Sequence, residues 1–214
     1  LTNQKTIQAH GGPFGIHISN DDERLLLVDL GLPEQFPNAD APGLSLYAVS
    51  SSGDFHHIDT FTDPDKSDQG FRDPCWIATS PDERTAWVSS FIPSTLTAFS
   101  VDHRKGLKRL SVFTGRDTVQ VTDPSDPVGP LVERVVGSTD ITMSRDGAYL
   151  YQLRTMSARQ DGIPVVPRIA TLRVTEELRH QAGLVEVGKI ILPDDLAGAG
   201  VMGLHIVEKQ TDCD

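Results

Sequence analysis

Charged side chains stand beside apolar runs of this 214-residue sequence where they could grip a small anion. Arg72 and Asp73 precede the run PCWIATS, Asp140 sits within STDITMS, and Arg154 closes the run YLYQL. An arginine offers a planar fork that binds a carboxylate or phosphate through two parallel hydrogen bonds, so Arg72 and Arg154 are candidates to orient such a group. Asp73, Trp76 and Asp140 are candidate ligand contacts beside them. Each has a plainer alternative: aspartate closes loops by bonding its own backbone, tryptophan packs, and an arginine at a strand end is often a solvated surface charge.

Other chemistries are disfavoured by residue type and spacing. Cys75 and Cys213 lie 138 residues apart, so they form neither a metal knuckle nor a CxxC redox pair. His56 and His57 point to opposite faces of one strand and cannot chelate a metal together. No Asp/Asn/Glu cluster has calcium-loop spacing, and no metal is expected. GxSxG and GxxxxGK[ST] are absent, and the glycines are scattered at turns, so neither a nucleophile elbow nor a nucleotide cofactor is expected. A net charge of −11 argues against nucleic acid and against an anionic membrane surface as partners. No apolar run approaches the ~18 residues of a membrane-spanning helix.

The elements that must position these side chains come from an internal repeat. PFGIHISNDDERLLLVD from Pro13, PCWIATSPDERTAWVS from Pro74 and STDITMSRDGAYLYQL from Ser138 align at offsets of 61 and 64 residues. Ile16, Ile77 and Ile141 share one column, and Ser19, Ser80 and Ser144 share another. GVMGLHI from Gly200 matches GPFGIHI from Gly12 as a truncated fourth copy, with His17 and His205 in one column. Each unit predicts four strands: the Ile-bearing segment, an apolar strand after a polar turn, an alternating third strand (LSLYAV, TLTAFSV, RIATLRV) and a fourth after a second turn. Thr175 to Gln181 has some helical character but serves more simply as a long hairpin connection.

Four antiparallel strands repeated at a fixed period predict an all-β propeller. The blades are expected at 11–61, 72–113 and 137–192, flanked by the last strand of a preceding blade within 1–10 and the first strand of a further blade at 200–207. Residues 1–214 are then part of one propeller domain, about half of a ring, and the rest of the ring is the expected partner. A blade needs about 40–50 residues. The surplus falls in connections rich in Pro, Gly, Asp and Ser (30–43, 62–72, 114–137, 154–167), all expected on one face, where binding usually resides. Arg72, Asp73, Trp76, Asp140 and Arg154 belong to that face.

PCWIATSPDERTAWVSSFIPSTLTAFSVDHRKGLKRL, GPFGIHISNDDERLLLVDLG and STDITMSRDGAYLYQL together resemble the lactonase family of seven-bladed β-propellers, which includes 6-phosphogluconolactonases and 3-carboxymuconate cyclases. The resemblance covers essentially the whole chain and implies the C-terminal half of the ring. It also implies His, Arg and Glu at the blade starts facing the channel. Here Pro74 is kept, but Cys75 and Trp76 stand where Arg and His are expected. Ser89, Ser90 and Phe91 occupy the place of an Asn-Glu pair, which makes Ser90 a further candidate contact. Two functions follow: opening or forming a small lactone at the channel mouth, with a small polar or anionic ligand, or non-catalytic binding of a protein or glycan through the loop-rich face.

Overall fold

The computed structural model describes residues 12–30, 42–63, 71, 73–91, 94–115, 117–121, 128–129, 132–155, 166–175, 183–196 and 203–205. Twelve strands form three four-stranded antiparallel sheets, each in sequential order. The first comprises β1 (Pro13–Ile18), β2 (Arg24–Asp29), β3 (Gly43–Val49) and β4 (Phe55–Thr62). The second comprises β5 (Pro74–Thr79), β6 (Thr85–Ser90), β7 (Thr95–Asp102) and β8 (Gly106–Thr114). Between it and the third lies a hairpin, β9 (Thr118–Val121) with β10 (Val132–Val135). The third comprises β11 (Ser138–Met143), β12 (Tyr149–Arg154), β13 (Arg168–Val174) and β14 (Leu184–Ile191), followed by a 3-10 turn at Asp194–Leu196. The inner strands β1, β5 and β11 pack side by side in sequence order, the arrangement of propeller blades. Two expected features differ. The 114–137 connection contains the β9–β10 hairpin, and Gly203–His205 form no strand; the expected strand near Gln4 to Ala9 lies outside the described residues.

Alternation along the strands explains the layering. Leu26 and Val28 on β2 and Leu44 and Leu46 on β3 bury against Ala86, Val88, Phe99 and Val101 of the second blade, with Phe71 between. Trp87, Leu96 and Ala98 of the second blade do the same against Ile141, Leu150 and Leu172 of the third. Each blade thus buries one face against its neighbour, as a repeat whose units cannot bury their apolar surface alone requires.

The serine column marks a turn repeated three times. Ser80 Oγ donates to Asp82 Oδ1 at 2.6 Å, Thr85 N–H donates to Ser80 Oγ at 3.0 Å, and Arg84 N–H donates to Asp82 Oδ1 at 3.2 Å. Ser144, Asp146, Ala148 and Tyr149 reproduce these bonds in the third blade, and Ser19, Asp21, Glu23 and Arg24 in the first. The serine hydroxyl is the main cause holding all three carboxyls below their usual range, Asp21 at about 2. These short turns lie at one edge of the blades. The rows Pro13–Asp29–Gly43–Thr62, Pro74–Ser90–Thr95–Thr114 and Ser138–Arg154–Arg168–Ile191 lie at the other, from which the long connections leave.

All three inner strands are irregular near their start, with register shifts between Pro13 and Ile16, Pro74 and Trp76, and Ser138 and Asp140. Gly15 accommodates the first of these. A Cβ there would stand 3.1 Å from the Cys75 carbonyl carbon and closer still to its oxygen, so β1 meets β5 backbone to backbone. Gly15→Ala is expected to lower the free energy of unfolding by about 1–3 kcal/mol, the usual cost of overpacking, as read by urea denaturation. An unchanged midpoint would show that β1 is free to move away.

Candidate functional site

The loop-bearing edge collects the residues singled out in sequence, but not in one place. Asp73 precedes β5 in the left-handed region, at φ 51°, a conformation costly for a non-glycine residue. Its carbonyl accepts from Phe91 N–H at 3.0 Å and from Cys75 Sγ at 3.2 Å, pinning the entry to β5 against the end of β6. Burial, reinforced by the Asp73 charge, pushes the Cys75 thiol up to about 12; as a thiol it is no nucleophile at neutral pH. Trp76 follows at the bulge, half-buried, with Phe14 of β1 edge-on at 5.2 Å between ring centres. Ser90 ends β6 opposite Pro74 and is buried. Its neighbour Ser89 shares a 2.6 Å hydroxyl bond with Ser138, joining the second and third blades.

Asp140 occupies the corresponding bulge of β11. Its Oδ1 accepts from Ile141 N–H at 2.8 Å and its Oδ2 from Leu204 N–H, so the carboxylate ties the segment 203–205 to the inner strand. Arg72 lies outside the described residues.

Arg154 departs most from expectation. It is 1% exposed, so the reading of it as a solvated strand-end charge does not hold. Its Nη1 donates to Asp117 Oδ2 at 3.0 Å and to Glu186 Oε2 at 2.9 Å, and its Nε donates to Gln152 Oε1 at 2.9 Å. Lys189 Nζ donates to Asp117 Oδ1, and Arg168 Nη1 stands 3.7 Å from the same oxygen. Three cations thus surround two carboxylates. Arg154 Nη2, Gln152 Nε2 and Arg168 Nε are buried without acceptors among the described residues. Unlike Asp140, which pairs with Leu153, Arg154 and Gln152 alternate to the face turned toward the second blade.

Asp117, Gln152, Glu186 and Lys189 were not singled out in sequence. A second bulge, between Thr171 and Leu172, pairs Gly188 with Thr171 but Glu186 with Leu172, leaving Val187 extra. That reverses the parity of β14 and puts Glu186 and Lys189 on one face, where plain alternation would separate them. Asp117 lies in an inter-blade connection, and no periodicity places it.

Burial pushes the Asp117 carboxyl up, but the bonds from Lys189 and Arg154 outweigh it and hold it below the usual carboxylate range. A carboxyl depressed by folding stabilises in full above its unfolded value of about 3.9 and ceases to do so as pH falls through the lower folded value. The stability gap between the parent protein and Asp117→Asn is therefore expected to shrink as pH drops below ~4. Urea denaturation at neutral and acidic pH checks this; a gap independent of pH would contradict it.

No family model matches the sequence, and no curated protein matches it. Solved structures do. A protein from Lactobacillus plantarum superposes with a TM-score of 0.56 at 19% identity, over 86% of this chain and 46% of its own. A candidate 6-phosphogluconolactonase from Bacteroides uniformis gives 0.54 at 20%, over 84% and 41%. The periplasmic gluconolactonase of Pseudomonas aeruginosa gives 0.55 at 14%, over 82% and 45%. The chain spans less than half the length of each. At these identities the likeness shows the fold: part of a β-propeller, with lactonase-like propellers among its neighbours.

Proposed function

We propose that this chain is the C-terminal half of a seven-bladed, lactonase-like propeller whose ring binds a small polar or anionic ligand, a lactone or its hydroxy acid, at the channel mouth on the loop-bearing edge. The observation that carries this reading is the shared irregularity of the three inner strands. Bulges recur at functional positions because they re-aim side chains, and here they set Phe14, Trp76 and Asp140 along one edge, with Asp73 held in a strained conformation beside them. Lactone opening also needs a base or activated water and donors for the developing oxyanion; in this reading the remaining blades supply them. A panel of sugar lactones incubated with the complete protein tests it. Turnover above buffer that falls in Asp73→Asn and Trp76→Ala is expected, and a panel with no turnover removes the catalytic part.

A second reading, non-catalytic binding of a protein or glycan by the same face, draws on how fully the polar groups are engaged. Both Asp140 oxygens accept backbone N–H bonds, Arg154 is held by Asp117 and Glu186, and Cys75 stays protonated. Replacing 122–127 by a short Gly/Ser linker, with Asp117 and the β9–β10 hairpin kept, discriminates: capture of a specific partner is lost under this reading, whereas lactone turnover survives under the first.

A further inference from the structure

The two blade junctions are built differently on the short-turn edge, away from the candidate mouth. Between the first and second blades, Glu83 reaches back across the gap. Its Oε1 accepts from Asn20 N–H at 2.8 Å and its Oε2 from Arg24 Nη2 at 2.8 Å. His17 and Thr79 bond beside it at 3.1 Å. What remains open there is a cavity of about 10 Å³ lined by His17, Arg24, Thr79 and Glu83 among others.

In the repeat alignment every member of this plug is replaced at the next junction. Glu83 becomes Gly147, Asn20 becomes Pro81 with no N–H to give, Arg24 becomes Thr85, and His17 and Thr79 become Ala78 and Met143. Glu83 and Gly147 both occupy the left-handed region, at φ 54° and 71°, so the backbone is conserved while the side chain is lost. Gly147 is also close-packed: a Cβ there would lie 2.7 Å from Pro81 Cδ. The result is a groove of about 650 Å³ lined by residues of the second and third blades, within the ~300–1,000 Å³ of small-molecule sites.

The groove has a definite chemistry. Trp87, in the column of Leu26, lines it and is 2% exposed, yet its Nε1–H has no acceptor among the described residues. A buried donor left unpaired carries its desolvation cost until something accepts from it. Leu110 and Val174 provide apolar wall. Asp82 and Asp146 stand at the rim, each committing Oδ1 to its own turn and leaving Oδ2 as an acceptor. Arg84 lies beside Asp82, so two carboxylates face one cation. Both carboxyls are ionised at neutral pH, as an ordinary aspartate is, and the serine bonds hold them lower still.

We infer that the groove between the second and third blades is a ligand site for a small alkylammonium compound that also carries a carbonyl or similar acceptor. The acceptor takes the Trp87 Nε1–H as the buried indole turns toward the groove, the hydrocarbon lies along Leu110 and Val174, and the ammonium sits at Asp82 and Asp146. The site is independent of the mouth and of whichever function the mouth performs.

The test uses the complete protein carrying Trp76→Phe, which leaves Trp87 as the tryptophan of this chain that reports. Titration with Nα-acetyl-lysine methylamide is expected to change Trp87 emission saturably. Nα-acetyl-norleucine methylamide, which lacks the ammonium, should bind at least about tenfold more weakly. Asp82→Asn combined with Asp146→Asn keeps the Oδ1 acceptors of both turns, removes the charge, and should weaken the lysine compound by a similar factor. Grafting the plug with Pro81→Asn, Thr85→Arg and Gly147→Glu should abolish the signal. If the graft does not fold, the asparagine pair decides. No saturable change up to ~10 mM, or equal binding of the norleucine compound, would overturn the inference.

Discussion

Replacing Arg154 with methionine is expected to lower the free energy of unfolding by about 3–5 kcal/mol, the cost of leaving a buried ion cluster without one partner. The size follows from what remains. Asp117 and Glu186 lose their shared Nη1 donor, and Gln152 loses the donor to its Oε1. Lys189 and Arg168 still compensate Asp117, so the loss stays within that range instead of exceeding it. Methionine fills much of the volume, which separates the electrostatic loss from a cavity. Because Arg154 belongs to the third blade and Asp117 to the connection leaving the second, the cluster also fastens the two blades together. A double-mutant cycle with Asp117→Asn should give a coupling of about 0.5–3 kcal/mol. A loss below ~1 kcal/mol with additive effects would mean that the cluster is solvated and contributes no more than a surface pair.

Phe99→Ala is expected to cost about 3–5 kcal/mol as well, for a different reason. Phe99 is fully buried and meets Phe61 at 4.9 Å and Phe71 at 5.4 Å between ring centres, both edge to face. Phe61 and Phe71 touch each other at 5.5 Å, so three rings from β4, the following connection and β7 close on one point between the first and second blades. Truncating the central ring removes its transfer energy and leaves a cavity that the two stiff sheets cannot collapse into. Phe99→Leu retains much of the volume and should cost well under half as much. Equal losses for the two variants, read by urea denaturation, would show that the site repacks freely.

Much of the fold follows from residues that recur. The columns of Ile16, Ile77 and Ile141 and of Ser19, Ser80 and Ser144 mark inner strands and turns because each copy must meet the same neighbour in the same way. His17 fits its mid-strand column as a half-buried, satisfied side chain, bonded to Thr79. The hairpin of Thr118–Val121 and Val132–Val135 escaped because four-residue strands among Pro, Gly and Asp carry too little alternation to stand out. The candidate site was less accessible to sequence for two physical reasons. A strand-end arginine looks solvated until its carboxylates are found, and one of them, Asp117, is set by a connection without periodicity. The other, Glu186, is turned into place by a bulge, which inverts the parity that sequence reasoning depends on.

The claim that this edge of the blades is a ligand mouth is tested most directly through Trp76 in the complete protein carrying Trp87→Phe. Titration with a sugar lactone or its hydroxy acid is expected to shift Trp76 emission saturably, and Phe14→Ala, which removes the ring resting on it, should weaken the binding. An emission spectrum unmoved by every compound, in protein whose circular dichroism shows it folded, would contradict the account.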